Sequence, residues 1–181
     1  MTGTKFYIEL IIVGLETFVW MAIFFINIIE DKILGILYKI LNNFSSSLLL
    51  IGILYIIGVL MDRLVDSIFQ KLENEIRNNS GLETKSAILV WKKHDQEKFA
   101  DYTRSRIRII RASIINIPLI TISLMWSVFK FYQQEYFAMG YIFILGALFT
   151  YVAKKSLNRL LKTYYDKARV FEISDKKIDG N

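Results

Sequence analysis

Cysteine is missing from all 181 residues, which excludes disulfides and thiolate-bound metals and leaves the redox compartment open. Proline occurs once, at Pro118, and histidine once, at His94. A lone histidine needs a second ligand cluster before it can hold a metal. His94-Asp95-Gln96-Glu97 therefore reads as a solvated helix face. A Gly-rich phosphate loop, an HExxH pair and a nucleophile elbow are also missing. No enzymatic activity and no cofactor are expected.

Long apolar runs are what the chain has instead. Hydrophobic residues make up 54% of it, and they gather in blocks longer than a soluble core needs. About 20 apolar residues cross a hydrocarbon layer roughly 30 Å thick. Runs of that kind are Phe6–Ile29, Leu48–Met61 with its flanks, Ile107–Phe129 and Tyr136–Ala153. The second reaches span length only when Phe44 to Leu64 are counted, so three spans is the fallback reading. The first is too long for the apolar region of a secretory signal, and no small-residue cleavage pattern follows it.

Charge supports four spans over three. Lys5 precedes the first run, eleven Lys or Arg fall between Arg63 and Arg111, and eight follow from Lys154 to Lys177. The other connections hold only Lys32, Lys39 and Lys130. The positive-inside rule then puts both termini and the central segment in the cytoplasm, which requires an even number of spans. The net charge of +6 is thus mainly a topology signal. A nucleic-acid partner is not expected, whereas anionic lipid head groups suit a basic inner face. Heavy use of Ile, Asn and Lys fits an AT-rich genome, hence a bacterial inner (plasma) membrane.

The expected class is an all-α integral membrane protein, a four-span transmembrane helical bundle with cytoplasmic helical extensions. It divides into a first hairpin over 1–61, a cytoplasmic basic helical hairpin over 62–106, a second hairpin over 107–153 and a basic amphipathic helix with a frayed tail over 154–181. In the first hairpin, Ile33 to Leu41 is short and apolar enough to lie along the outer interface. After the second span, Leu60, Leu64, Ile68, Leu72 and Ile76 repeat every fourth residue, seconded by Val65 and Phe69, as in an amphipathic helix. Asn78-Asn79-Ser80-Gly81 should end it. The chain from Thr84 to the third span holds no proline or glycine and reads as one returning helix, although Ala87 to Trp91 is also strand-compatible. Beyond the fourth span, Leu157, Leu160, Leu161, Tyr164 and Ala168 share a face. Pro118 should kink the third span.

Polar residues inside the runs supply the candidate site. At about 100° per residue, Glu9, Glu16, Trp20 and Asn27 fall within about 40° of one another. Such a stripe should face protein or water. A central charge costs about 2.5–3.5 kcal/mol on insertion scales. An unpaired Glu16 is therefore expected to hold its proton and donate a hydrogen bond. Counted inward at about 1.5 Å per residue, Glu9 lies level with Arg111, and Glu16 level with Asn116. Asp62, Arg63, Asp66, Arg108 and Arg111 form an inner-mouth charge layer. In that layer Arg63 and Asp66 stand at ion-pair spacing, and Arg104, Arg108 and Arg111 share one helix face.

Intramembrane acids mark ion or proton paths, or glue helices together. Two readings follow. One is an oligomeric ion channel or pore-forming membrane effector gated through its cytoplasmic helices. The alternative is a membrane anchor or adaptor that recruits a soluble cytoplasmic partner, with the stripe serving only helix packing. A transporter fits less well, because the spans show no inverted repeat.

Overall fold

The computed structural model describes the backbone of residues 3–28, 44–82, 87–94, 96–131 and 135–179, and side chains over 6–28, 48–82, 87–94, 96–131 and 135–174. Among the described residues the chain is all helix: α1 (Gly3–Ile28), α2 (Phe44–Ser80), α3 (Ala87–Lys93), α4 (Glu97–Phe131) and α5 (Tyr136–Asp179). The expected interfacial segment from Ile33 to Leu41 lies outside the described residues.

Four of these helices, α1, α2, α4 and α5, are long and apolar enough to cross a membrane. α5 has 44 residues, a length of about 66 Å, twice what a hydrocarbon layer needs. It therefore runs on as one rod into the basic part of the chain. α1 packs between α2 and α4, α4 packs on α5, and α5 returns to α2, so the four close into a bundle.

The main apolar core lies at the basic end rather than between the apolar runs. Trp91 is its centre, with 1% exposure, ringed by Phe99 at 5.2 Å, Tyr164 at 5.6 Å and Phe171 at 5.5 Å between ring centroids. Leu157, Leu161 and Ala168 complete it from α5. This stalk is built like a soluble domain. Along the apolar runs the inner core is small, namely Val13, Met61, Val65 and Ala112. Only 22% of the most apolar window of α1, α2 or α4, and 6% of that of α5, is buried. Phe137, Tyr141, Ile144 and Leu148 all point outward.

A sequence signal ends α2. Gly81 stops α2 with φ +70° and bonds back to the Asn78 carbonyl at 3.1 Å, the left-handed cap that glycine adopts without a Cβ penalty. The returning helix is broken into two. His94 and Gln96 close α3 through bonds to the carbonyls of Val90 and Trp91. α4 then starts afresh with Glu97 in its first turn, where an acid complements the helix dipole. Ala87 to Trp91 is helix, not strand. His94 stacks on Phe171 at 4.5 Å, so it packs against the stalk instead of lying on a solvated face. α4 continues through Pro118, and the Thr121 hydroxyl bonds to the Ile117 carbonyl within this proline turn. α5 stays helical to Asp179, through most of the tail whose sequence predicts fraying.

The apolar row of α2 does not keep to one side of the helix. Leu60, Leu64 and Ile68 are exposed, while Met61 and Val65 are buried and Phe69, Leu72 and Ile76 pack on the core. A spacing of four advances about 40° per step, so the row winds away from the core over its length. The true inner row starts at Met61. The outer apolar face of α2 thereby extends to Ile68.

Candidate functional site

α1 and α4 run parallel and meet along a ladder of polar contacts. At the basic end, Arg108 pairs with Glu9. In the middle, Ser113 Oγ lies 2.9 and 3.0 Å from the two Glu16 oxygens, and Asn116 Nδ2 lies 3.4 Å from Oε2. At the far end, Asn27 Nδ2 donates to Ser127 Oγ at 2.8 Å, and Lys130 caps the Asn27 carbonyl. The sequence separations stay between 97 and 103 across these contacts, so the two helices keep register.

The middle rung has defined chemistry. Trp20 Nε1 can only donate, and it donates to Asn116 Oδ1 at 3.2 Å. That fixes the amide with its NH₂ toward Glu16. Thr17, buried beside it, lies 3.3 Å from the same oxygen and also bonds to the Val13 carbonyl. Ser113 has one hydroxyl hydrogen, and both Glu16 and the Ile109 carbonyl at 3.0 Å stand within its reach. An ionised Glu16 accepts that hydrogen. A protonated Glu16 donates to Ser113, which then turns its hydrogen to Ile109. The Glu16–Ser113 bond thus survives in either proton state, with only the direction of donation reversed.

Below the ladder lies the charge layer. Arg108 also reaches Asp62 at 3.2 Å, and Arg111 forks to Asp66 at 2.8 Å and to Glu73. Glu73 accepts a 2.6 Å bond from Tyr165 on α5. One network therefore ties α1, α2, α4 and α5 together where the apolar bundle meets the stalk. Arg63 is exposed and acts on Asp62 through its charge; Asp66 goes to Arg111 instead.

Arg111 does not pair with Glu9, as level alone implied. Side chains lean toward the N-terminus of their own helix. For α4 that is the stalk end, so Arg111 reaches down to Asp66 and Glu73. Arg108 takes Glu9 and covers Phe6, with its guanidinium carbon 4.7 Å from the ring centroid. Glu16 and Asn116 do meet.

Ser113, Ser127, Thr17, Glu73 and Tyr165 were not singled out in the sequence. The stripe test would have found most of them. Ser113, Asn116, Ser123 and Ser127 lie within about 80° on α4, and Asp62, Asp66 and Glu73 within about 40° on α2. Tyr165 carries no such signal, since it sits among core residues of α5.

Glycine sets how closely the bundle closes. A Cβ on Gly14 would lie 1.8 Å from the Leu54 carbonyl oxygen, and one on Gly58 1.9 Å from that of Leu10. α1 and α2 thus cross with their backbones in contact, which only small residues allow. Gly146 gives Thr121 the same room between α4 and α5, where a Cβ would come within 2.1 Å of the hydroxyl.

Among the described residues, no group of three or more His, Cys, Asp or Glu is placed to hold a metal ion. Searches against protein families, curated proteins and solved structures find no match to this chain.

Proposed function

We propose that this is a four-span protein of a bacterial inner membrane, with both termini and the stalk in the cytoplasm. It acts as an oligomeric ion channel or pore-forming effector controlled through its cytoplasmic helices. Support for insertion comes from the outward apolar faces, which a soluble protein would leave against water.

The observation that carries the functional reading is the incomplete burial of the middle rung. Glu9 and Asn27 are 5% and 4% exposed, yet Glu16 and Ser113 remain only partly covered within one copy. A carboxyl at mid-depth facing lipid is costly. A neighbouring copy or a file of water between copies would relieve that cost. Because the ladder shares Arg108 with the charge layer, movement of the stalk would be felt at the rung above.

The adaptor reading keeps one observation in its favour: each residue of the α1 stripe already has a partner on α4. Proteoliposome ion flux separates the two. Glu16→Gln keeps the shape and the Asn116 contact but removes the exchangeable proton. It should change flux or its pH dependence at least severalfold, with the oligomer intact by light scattering. Wild-type flux from a stable Glu16→Gln oligomer removes the rung from the mechanism. In that case charge reversal at Lys92, Lys93 and Lys98 should abolish partner recruitment.

A further inference from the structure

The stalk contains a cavity of about 510 Å³, just below the charge layer, walled by α2, α3, α4 and α5. Its volume lies within the range of small-molecule sites, and neither the ladder nor the apolar bundle accounts for it. Four arginines line it, Arg77, Arg104, Arg108 and Arg111, against two carboxylates, Asp66 and Glu73. The aromatic side chains of Tyr164 and Tyr165 form one wall, and Ile107 adds apolar surface.

Arg111 marks the end of the cavity nearest the charge layer. It is 8% exposed, and its Nε–H is buried with no hydrogen-bond partner among the described residues. Its terminal nitrogens hold Asp66 and Glu73. A buried donor left unpaired is costly, so the guanidinium is not fully spent on the protein. The Asp66 side chain is 54% exposed and can turn to water at little expense. Arg104 is exposed at the rim, on the same helix face as Arg108 and Arg111.

We propose that this cavity binds a phosphoryl-bearing molecule. Guanidinium forks match phosphate oxygens two at a time. A phosphoryl group, whose non-bridging oxygens can each accept from a guanidinium, would take the place of the exposed Asp66 on Arg111 and draw in Arg104. The cavity is larger than one phosphate requires, and the tyrosine wall would take the remainder of the ligand. The phosphoryl group could belong to a soluble nucleotide or to an anionic lipid whose head group reaches down past Arg108. Binding is a property of the stalk and does not depend on whether the bundle conducts.

The full-length protein purified in neutral detergent is titrated calorimetrically with ATP and with pyrophosphate. In parallel it is placed in phosphatidylcholine nanodiscs with and without phosphatidylglycerol, and bound phosphatidylglycerol is counted by native mass spectrometry. Saturable binding is expected in one arm, and that arm identifies the source. Arg104→Ala, at an exposed position, should keep the helix content and melting temperature and weaken binding tenfold or more. Arg111→Lys should weaken it as well. If neither arm saturates, or if Arg104→Ala lowers affinity less than tenfold, the proposal is overturned.

Discussion

Replacing Gly14 with valine is expected to lower stability by about 3 kcal/mol, the upper end of ordinary overpacking. The atom that its Cβ meets is a backbone carbonyl oxygen, Leu54 O, at 1.8 Å. No rotamer change can move a backbone atom, so α1 and α2 must separate. Separation opens the small core of Val13, Met61 and Val65, and it pulls Glu9 away from the layer that Arg108 shares with Asp62. For a chain of this size, 3 kcal/mol corresponds to about 6–12 °C in melting temperature. Gly14→Ala should already show part of the loss, because the clash begins at Cβ. Gly52→Ala and Gly140→Ala are the controls, since an added Cβ meets nothing within 4 Å at either site. There alanine should be neutral or stabilising by up to about 1 kcal/mol. Thermal melts in detergent decide the matter. A Gly14→Val protein that melts with the wild type would mean that α1 and α2 do not cross at these glycines.

Arg111→Met should cost about 2–3 kcal/mol, somewhat less than the 3–5 typical of a fully buried pair. Its own side chain is 9% exposed, but those of Asp66 and Glu73 are 54% and 33% exposed. Asp66 can return to water, and Glu73 keeps its bond from Tyr165. Most of the cost is therefore the loss of one guanidinium bridging two carboxylates of α2. Lysine should not restore it, because an ammonium's donors all leave one nitrogen and cannot span two carboxylates as Nη1 and Nη2 of the guanidinium do. Combining Arg111→Met with Glu73→Gln should cost less than the two single changes added together, by 1 kcal/mol or more, since neither partner is then left alone. Strict additivity would show that the two side chains do not meet.

Much of this architecture is legible in the sequence, and the parts that are not have physical causes. Long apolar runs bounded by basic segments are enough to place four crossing-length helices. Angular alignment put Glu9, Glu16, Trp20 and Asn27 on one face, and each of them meets α4. What alignment could not give is partner choice across helices. Pairing by level treats a side chain as though it ended at its Cα. Arg111 extends several ångströms toward the stalk, which is enough to trade Glu9 for Asp66 and Glu73. The close glycine crossing was also out of reach, because Gly14 and Gly58 mean little singly and belong together only once α1 and α2 are packed. The stalk core was visible as a stripe on α5. The break before Glu97 was not, since no proline or glycine marks it.

The proposed four bilayer crossings, with the stalk on the cytoplasmic side, underlie the channel reading, and the absence of cysteine makes them directly measurable. Single cysteines are introduced at Lys92 in the stalk, Lys130 at the far end of α4, and Asn181. Cells are then treated with a membrane-impermeant maleimide before and after permeabilisation. The four-span arrangement predicts labelling at Lys130 in intact cells, and at Lys92 and Asn181 only after the membrane is opened. Labelling of Lys92 or Asn181 in intact cells would contradict it, as would recovery of the protein in the soluble fraction.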